Sequence, residues 1–244
     1  MAGNGNEFVE KTKYLNMGES DYHKGLLQPP LALDWDRAKK LIPLPDPKGI
    51  RLGSLSVRQA IEQRRTLRSY SQAPLSLEEL SYLLWCTQGV QRVVPGSGTM
   101  RTVPSAGARH AFETYLCVNR VAGLQPGLYR FLALEHVLIE EDLDPGFADR
   151  LVEACNMQES VKASAATFIW TAVAYRMTYR YGERGYRYLY LDAGHVCQNL
   201  YLSAEAIGCG VCAIAAFSDD DVNRLLGLDG ENRFAIYLGT VGKT

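Results

Sequence analysis

The 244-residue sequence lacks three things: a charge of one sign, a long apolar run and a dense cysteine pattern. Its 26 Lys+Arg stand against 27 Asp+Glu, which leaves no basic excess for gripping nucleic acid or an anionic membrane surface. No apolar run approaches the roughly 20 residues of a bilayer-spanning helix, so no membrane partner is expected. The stretch Met1 to Glu10 is polar and glycine-rich, with neither a basic n-region nor an apolar h-region. That reads against a signal peptide and for a cytoplasmic protein.

The six cysteines are Cys86, Cys117, Cys155, Cys197, Cys209 and Cys212. Only the last two form a CxxC, with no second pair and no histidines at ligand spacing, so no metal is expected. The pair leads into a β-like apolar run, whereas a redox CxxC opens a helix whose N-terminus depresses the thiol pKa. Buried, structural thiols are the expectation. Missing too are a GxGxxG after a strand and a GxxxxGK[ST], which removes the main support for a dinucleotide Rossmann or P-loop site.

What is present suits a globular protein, with 47% hydrophobic and 22% charged residues. Residues 1–50 read as an arm packing on the core or on a partner subunit, broken by Pro29, Pro30, Pro43, Pro45 and Pro47. One short helix started by Asp34 is predicted within Leu31 to Ile42. Residues 51–244 form the main domain, with a regular pattern from Ser54 onward. Ser56 caps a helix to Arg64 whose inward stripe is Val57, Ala60 and Ile61. Ser76 and Glu79 make a capping box for a helix that Gly89 stops.

Strand-like runs follow at Thr114 to Val118, Gly127 to Phe131 and His136 to Ile139, then a helix from Pro145 to Cys155 and an apolar strand from Ala166 to Ala174. A long helix carries Leu189, Ala193, Val196, Leu200, Ala204 and Ile207 on one face and Tyr190, Cys197 and Tyr201 on the other, so it should be central. Gly208 and Gly210 end it. A strand through Phe217, a helix from Asp219 to Leu226 and a strand from Phe234 to Leu238 complete the chain. The order reads as α+β or mixed α/β with one sheet.

Four constellations could carry chemistry. Arg64, Arg65, Thr66 and Arg68 offer three guanidiniums and a hydroxyl in five residues, which suits a phosphate dianion. A solvated helix end explains the same residues, because cations also complement the dipole there. Pro104-Ser105-Ala106-Gly107 is a small-residue loop whose backbone N–H groups can approach a flat ligand, or a plain loop before a strand. Ala215 and Ala216 stand at a strand end, where ligands of open sheets sit. From Arg180 to Tyr188, arginines alternate with tyrosines, as in a stacking site or a half-buried helix start.

Taken in order, RRTLRSY, SLEELSYLLWCTQGV, VPSAGARHAFETYL, GLYRF, YGERGYRYLYLDAGHVCQNLYLSAEAIG and VCAIAAFSDDDVNRLLGL resemble the nitroreductase superfamily, nearest its SagB-type dehydrogenase branch. The similarity runs from about Ser54 to Lys243. It implies an α+β (mixed α/β sandwich) fold: one mostly antiparallel central sheet flanked by helices, with the long helix at a homodimer interface.

It also implies FMN as cofactor and NADH or NADPH as electron donor. Arg64, Arg65, Thr66 and Arg68 would bind the phosphate and ribityl chain. Pro104, Ser105, Ala106 and Gly107 would lie against the flavin of the other subunit. Ala215 and Ala216 would offer backbone to the N5 side, and Gln158, with Asn156 nearby, would serve the pyrimidine edge. The family's C-terminal phosphate-binding cations have no clear counterpart, so Lys243 or the three arginines would have to suffice. Arg180-Tyr181 stands where the azoline dehydrogenases of the branch carry Lys-Tyr. Arginine cannot act as a base near neutral pH, which leaves Tyr181 as the sole catalytic candidate.

The function implied is hydride transfer through flavin to a small electron-poor acceptor such as a nitroaromatic or quinone. The alternatives are FMN-dependent dehydrogenation of a peptide azoline or small metabolite, and a flavin-binding module without turnover.

Overall fold

The computed structural model describes residues 3–51, 53, 55–96 and 98–244, so Ser54, the expected start of the regular pattern, lies outside the described residues. The helices are α1 (Asn4–Lys11), α2 (Val57–Gln63), α3 (Leu77–Gln88), α4 (Phe147–Ala154), α5 (Ser160–Ala163), α6 (Ala174–Tyr181), α7 (Gly185–Ala206) and α8 (Asp219–Leu225). The strands are β1 (Leu41–Pro43), β2 (Val90–Val94), β3 (Gly98–Arg101), β4 (Phe112–Val118), β5 (Gly127–Leu132), β6 (Val137–Asp142), β7 (Ala166–Val173), β8 (Cys209–Ile214) and β9 (Arg233–Lys243).

Among the described residues, seven strands form one sheet in the order β1-β6-β5-β4-β7-β9-β8, and every neighbouring pair is antiparallel. This is the α+β architecture expected. The sheet has a core on each side. Helices α3 and α7 cover one face, where Leu80, Leu84, Leu189, Val196 and Leu200 pack with Phe168 and Trp170. Helices α4 and α8 cover the other, where Phe147, Leu151 and Val222 meet Ile169 and Leu238. Each such side chain contributes about 1.5–3 kcal/mol by leaving water.

Both capping boxes form. Ser56 Oγ accepts from Gln59 N and Ser76 Oγ from Glu79 N, while the Gln59 and Glu79 side chains reach back to the cap N–H groups. Ser218 caps α8 ahead of three aspartates. The CxxC lies along β8, with Cys209 in one core and Cys212 in the other, as strand alternation requires.

Several expectations are corrected. No helix forms within Leu31 to Ile42. Asp34 Oδ1 accepts from its own neighbour Trp35 N at 2.9 Å and from Arg37, and core residues take the backbone around it. Glu113 accepts from Leu33 N at 3.0 Å, Arg176 Nε donates to Pro30 O at 2.9 Å, and Arg130 donates to Asp34 O at 3.1 Å. These long-range bonds, with the Leu33 N–H already spent on Glu113, hold the segment in an irregular course instead of a helical ladder.

In α2 only Ala60 of the expected stripe is buried, while Val57 and Ile61 are 71% and 55% exposed. The seven-residue helix meets α7 through the Ala60 side, which leaves Val57 and Ile61 towards solvent. The opposite face of α7 is divided: Cys197 is buried, Tyr201 half-buried and Tyr190 exposed. Gly208, at φ +67°, follows the end of α7, but Gly210 lies inside β8. A Cβ on Gly210 would sit 2.4 Å from Leu67 Cδ1, and one on Gly242 would sit 2.8 Å from the Tyr70 ring. Their missing side chains let residues 66–71 lie flat across β8 and β9.

Candidate functional site

Three routes through the chain converge at the free edge of β8. The first is the segment after α2. Leu67 N donates to Val211 O at 2.9 Å and Ser71 N to Lys243 O at 2.9 Å, with Thr66 bridged in parallel to Val211. This extended course alternates its side chains. Leu67 turns onto Gly210, while the Arg64 guanidinium and Thr66 hydroxyl reach the same tyrosine, Tyr201.

The second route is α7, which supplies that tyrosine. Tyr201 Oη lies 3.1 Å from Thr66 Oγ1, its ring centroid is 5.3 Å from Arg64 Cζ, and it accepts from Ala213 N at 3.0 Å. The third is the end of β8, where Ala215 and Ala216 follow Ala213 and are exposed. Arg68 stands close enough to Cys212 and Tyr70 for its charge to act on both. Neither Arg64 nor Arg68 has a carboxylate partner among the described residues. Arg65 differs: its guanidinium turns back onto Glu62 O, Gln63 O and Arg64 O at 2.9, 3.0 and 2.9 Å, closing the end of α2.

The small-residue loop lies elsewhere on α7. Ala106 N donates to the Asp192 carboxylate at 3.2 Å, and Ser105 also hydrogen-bonds it. Burial raises the Asp192 carboxyl above its ordinary range, and these two donors oppose the rise. Gly107 has φ +57°, and a Cβ there would meet Tyr181 Oη at 2.4 Å. Ala108 and His110 also have positive φ, 53° and 43°. His110 is buried, which together with the charge of Arg101 pulls its pKa down to about 3. Tyr181 is braced edge-on against Tyr188, 4.8 Å between centroids. Pro104 at the loop's start is exposed.

Gln158 sits in the α4–α5 turn on the sheet face opposite α7, half-buried, with its N–H on Cys155 O at 3.1 Å. The turn contains Asn156 and Met157 at φ 52° and 60°. Ser218 N to Ala154 O at 2.7 Å ties it to the loop that begins at Ala215. Lys243 pairs with Glu79 and lies opposite Cys209 in the β8–β9 ladder, at the other end of β8 from Ala215. The structure therefore brings Arg64, Thr66 and Arg68 towards Ala215 and Ala216, and sets the Pro104–Gly107 loop and Tyr181 together at a second place. Asp192 and the Tyr201 hydroxyl were not singled out from sequence. A lone carboxylate inside an apolar stretch of helix was the available signal for Asp192.

Residues 61–243 match the nitroreductase family. The chain belongs to this family. As a nitroreductase-family member it is assigned as an oxidoreductase. A relative in Methanocaldococcus jannaschii, provisionally named a nitroreductase, is 34% identical over 185 residues, 76% of this chain and 88% of the relative. The trifolitoxin-processing protein of Rhizobium leguminosarum bv. trifolii is 30% identical over 154 residues, 62% of this chain but 41% of that protein.

Among solved structures, a provisionally named nitroreductase from Anabaena variabilis matches with 30% identity and a TM-score of 0.66, over 77% of this chain and 38% of that one. One from Ralstonia eutropha, 23% identical, matches over 90% of this chain and 95% of its own with a TM-score of 0.69. One from Desulfovibrio desulfuricans, solved in complex with FMN, shares the fold at 18% identity and a TM-score of 0.55, over 78% of this chain and 86% of its own. Among the described residues no helix is long and apolar enough to cross a membrane, and no cluster of His, Cys, Asp or Glu could hold a metal ion.

Proposed function

We propose that the chain is an FMN-dependent oxidoreductase that uses NADH or NADPH to reduce a small electron-poor acceptor, such as a nitroaromatic or quinone. The observation that carries this reading is the pairing of acid-free guanidiniums with open backbone at one strand end. Arg64 and Arg68, with the Thr66 and Tyr201 hydroxyls, form a cationic, donor-rich surface cluster suited to a phosphate. Two residues beyond Ala213, Ala215 and Ala216 offer exposed backbone that donates to no described residue, suited to the polar edge of a flat ring. These residues fit FMN.

When bound, the flavin supplies the two-electron chemistry. The chain's own residues then need only hold the phosphate, orient the ring and admit the substrate. That agrees with the absence of a base at Arg180 and leaves Tyr181 as the one candidate proton donor beside the loop.

The reading includes a homodimer with two sites at the interface. On α7, Asp192 precedes Tyr201 by nine residues, about 13 Å of helix. Between them the helix exposes Gly194, His195 and Gln198, and just before them Tyr190 and Leu191. Two copies of this face crossing antiparallel about a two-fold axis bring the Pro104–Gly107 loop of one chain towards the Arg64–Arg68 cluster of the other.

The test is the visible spectrum and released-cofactor mass of the purified protein, followed by NAD(P)H oxidation with a nitroaromatic acceptor. A colourless protein refutes the cofactor assignment. Flavin without NAD(P)H oxidation moves the reading to dehydrogenation of a peptide or small metabolite, which the similarity to the trifolitoxin-processing protein supports.

A further inference from the structure

Four arginines lie between α6 and the first turn of α7, and three of them staple the N-terminal arm. Arg176 pairs with Glu113 at 2.7 Å and donates to Pro30 O. Arg184 donates to Thr12 O at 2.7 Å and to Tyr188 Oη at 2.7 Å. Arg187 donates to Thr12 Oγ1 at 2.5 Å and to Val9 O. Arg180 does none of this. Among the described residues no carboxylate lies within ion-pair distance of it, and none of its N–H groups donates to any of them.

Arg180 is nonetheless held. Its Cζ is 5.2 Å from the Tyr22 ring centroid and 5.7 Å from that of Tyr181, so two aromatic faces flank the guanidinium. Tyr22 is itself fixed, with its N–H on Tyr179 O at 2.9 Å and its ring edge-on to Tyr179 at 6.0 Å. Arg180 Nη1 lies against Gly107, 3.2 Å from where a Cβ would stand. A second cation, Arg109, places Nε 3.3 Å from Gly107 O, and the two charges are near enough to repel. The helix dipole explains a cation in the last turn of α6, but not one enclosed by rings with its fork unused.

We propose that Arg180 is a specificity determinant that binds the carboxylate of a flat substrate presented at the Pro104–Gly107 loop. A guanidinium flanked by rings and bonded to no acceptor leaves a planar donor edge that matches a carboxylate with two parallel hydrogen bonds. The Tyr22 and Tyr181 faces suit the flat body of such a molecule. The assignment rests on the FMN reading only for what lies across the loop. It places the arm, through Tyr22, in substrate selection.

The test is calorimetric titration of the full-length protein with benzoate and with its neutral counterpart benzamide, the flavin absorbance being recorded on the same sample. Wild type should bind benzoate more tightly than benzamide. R180Q should weaken benzoate by about 10–100-fold, the loss of a charge-assisted pair. R180K, which keeps the charge and loses the fork, should fall between. Benzoate binding no tighter than benzamide, or unmoved in R180Q, overturns the proposal, as does R180K equal to wild type should R180Q fail to fold. Displacement of benzoate by an equal concentration of inorganic phosphate also overturns it, in favour of a phosphate site. A flavin-free sample that still discriminates benzoate refutes only the FMN reading. A yellow sample that does not discriminate refutes only this one.

Discussion

Tyr201 joins Thr66 to Ala213: its Oη lies 3.1 Å from Thr66 Oγ1 and accepts the Ala213 N–H at 3.0 Å. One hydroxyl thus couples the cation-bearing segment to the strand end that leads to Ala215. Y201F should leave the Ala213 N–H and Thr66 without that partner and weaken FMN retention by about tenfold, the worth of one to two hydrogen bonds. Fluorescence titration of the apoprotein with FMN checks this, and an unchanged Kd would remove Tyr201 from the site.

The three arginines should separate by their partners. R64A combined with R68A removes both acid-free guanidiniums and should strip FMN from the purified protein. R65A removes a cap satisfied by three carbonyls, and should cost about 1 kcal/mol of stability with a smaller loss of flavin. Flavin-to-protein absorbance ratios and thermal melts distinguish the two. Equal flavin loss would mean that Arg65 turns to the phosphate when FMN binds.

K243M tests the substitute cation. Lys243 is paired with Glu79, which also serves the capping box of α3. The variant should lose stability of about 1 kcal/mol and keep its FMN stoichiometry. Flavin loss without destabilisation would place Lys243 at the phosphate after all.

G107A should be costly for two separable reasons. The position requires φ +57°, and the new Cβ would stand 2.4 Å from Tyr181 Oη. A loss of about 1–3 kcal/mol is expected in denaturant unfolding. Adding Y181F should recover the steric part only, so a double variant no more stable than G107A would argue against the Tyr181 contact.

Acid should destabilise the fold through His110. Its folded pKa is depressed to about 3, so below pH 6.5 the unfolded state binds the extra proton. Stability is therefore complete above the unfolded pKa and falls with acidification towards pH 3. Between pH 6.5 and 5 the loss is about 2 kcal/mol, at 1.36 kcal/mol per unit. Denaturant midpoints of wild type and H110N across this window give the measurement, and parallel pH profiles would exclude His110 as the cause.

Much of the fold was legible because it is written in local chemistry. Ser56 and Ser76 satisfy N–H groups a few residues away, so their helices begin where the caps stand. The apolar run of β7 and the periodic face of α7 report burial directly. The β2–β3 hairpin is not legible in the sequence, because its first strand is largely exposed and carries no alternation.

The sequence by itself determined the capped helices, the apolar strand β7, the central helix α7, the place of the CxxC at a strand and the residue types suited to a phosphate. These depend on neighbours within a turn or a strand repeat. Only the tertiary structure decided which arginine does what. Arg65 and Arg64 are adjacent in the chain, yet one closes its own helix and the other meets Tyr201 from another helix. Arg176 and Arg180 share α6, yet one is neutralised by Glu113 and the other stands between two rings with its fork free. A guanidinium's role is set by which acceptors the fold brings within about 3 Å, and long-range packing alone supplies those.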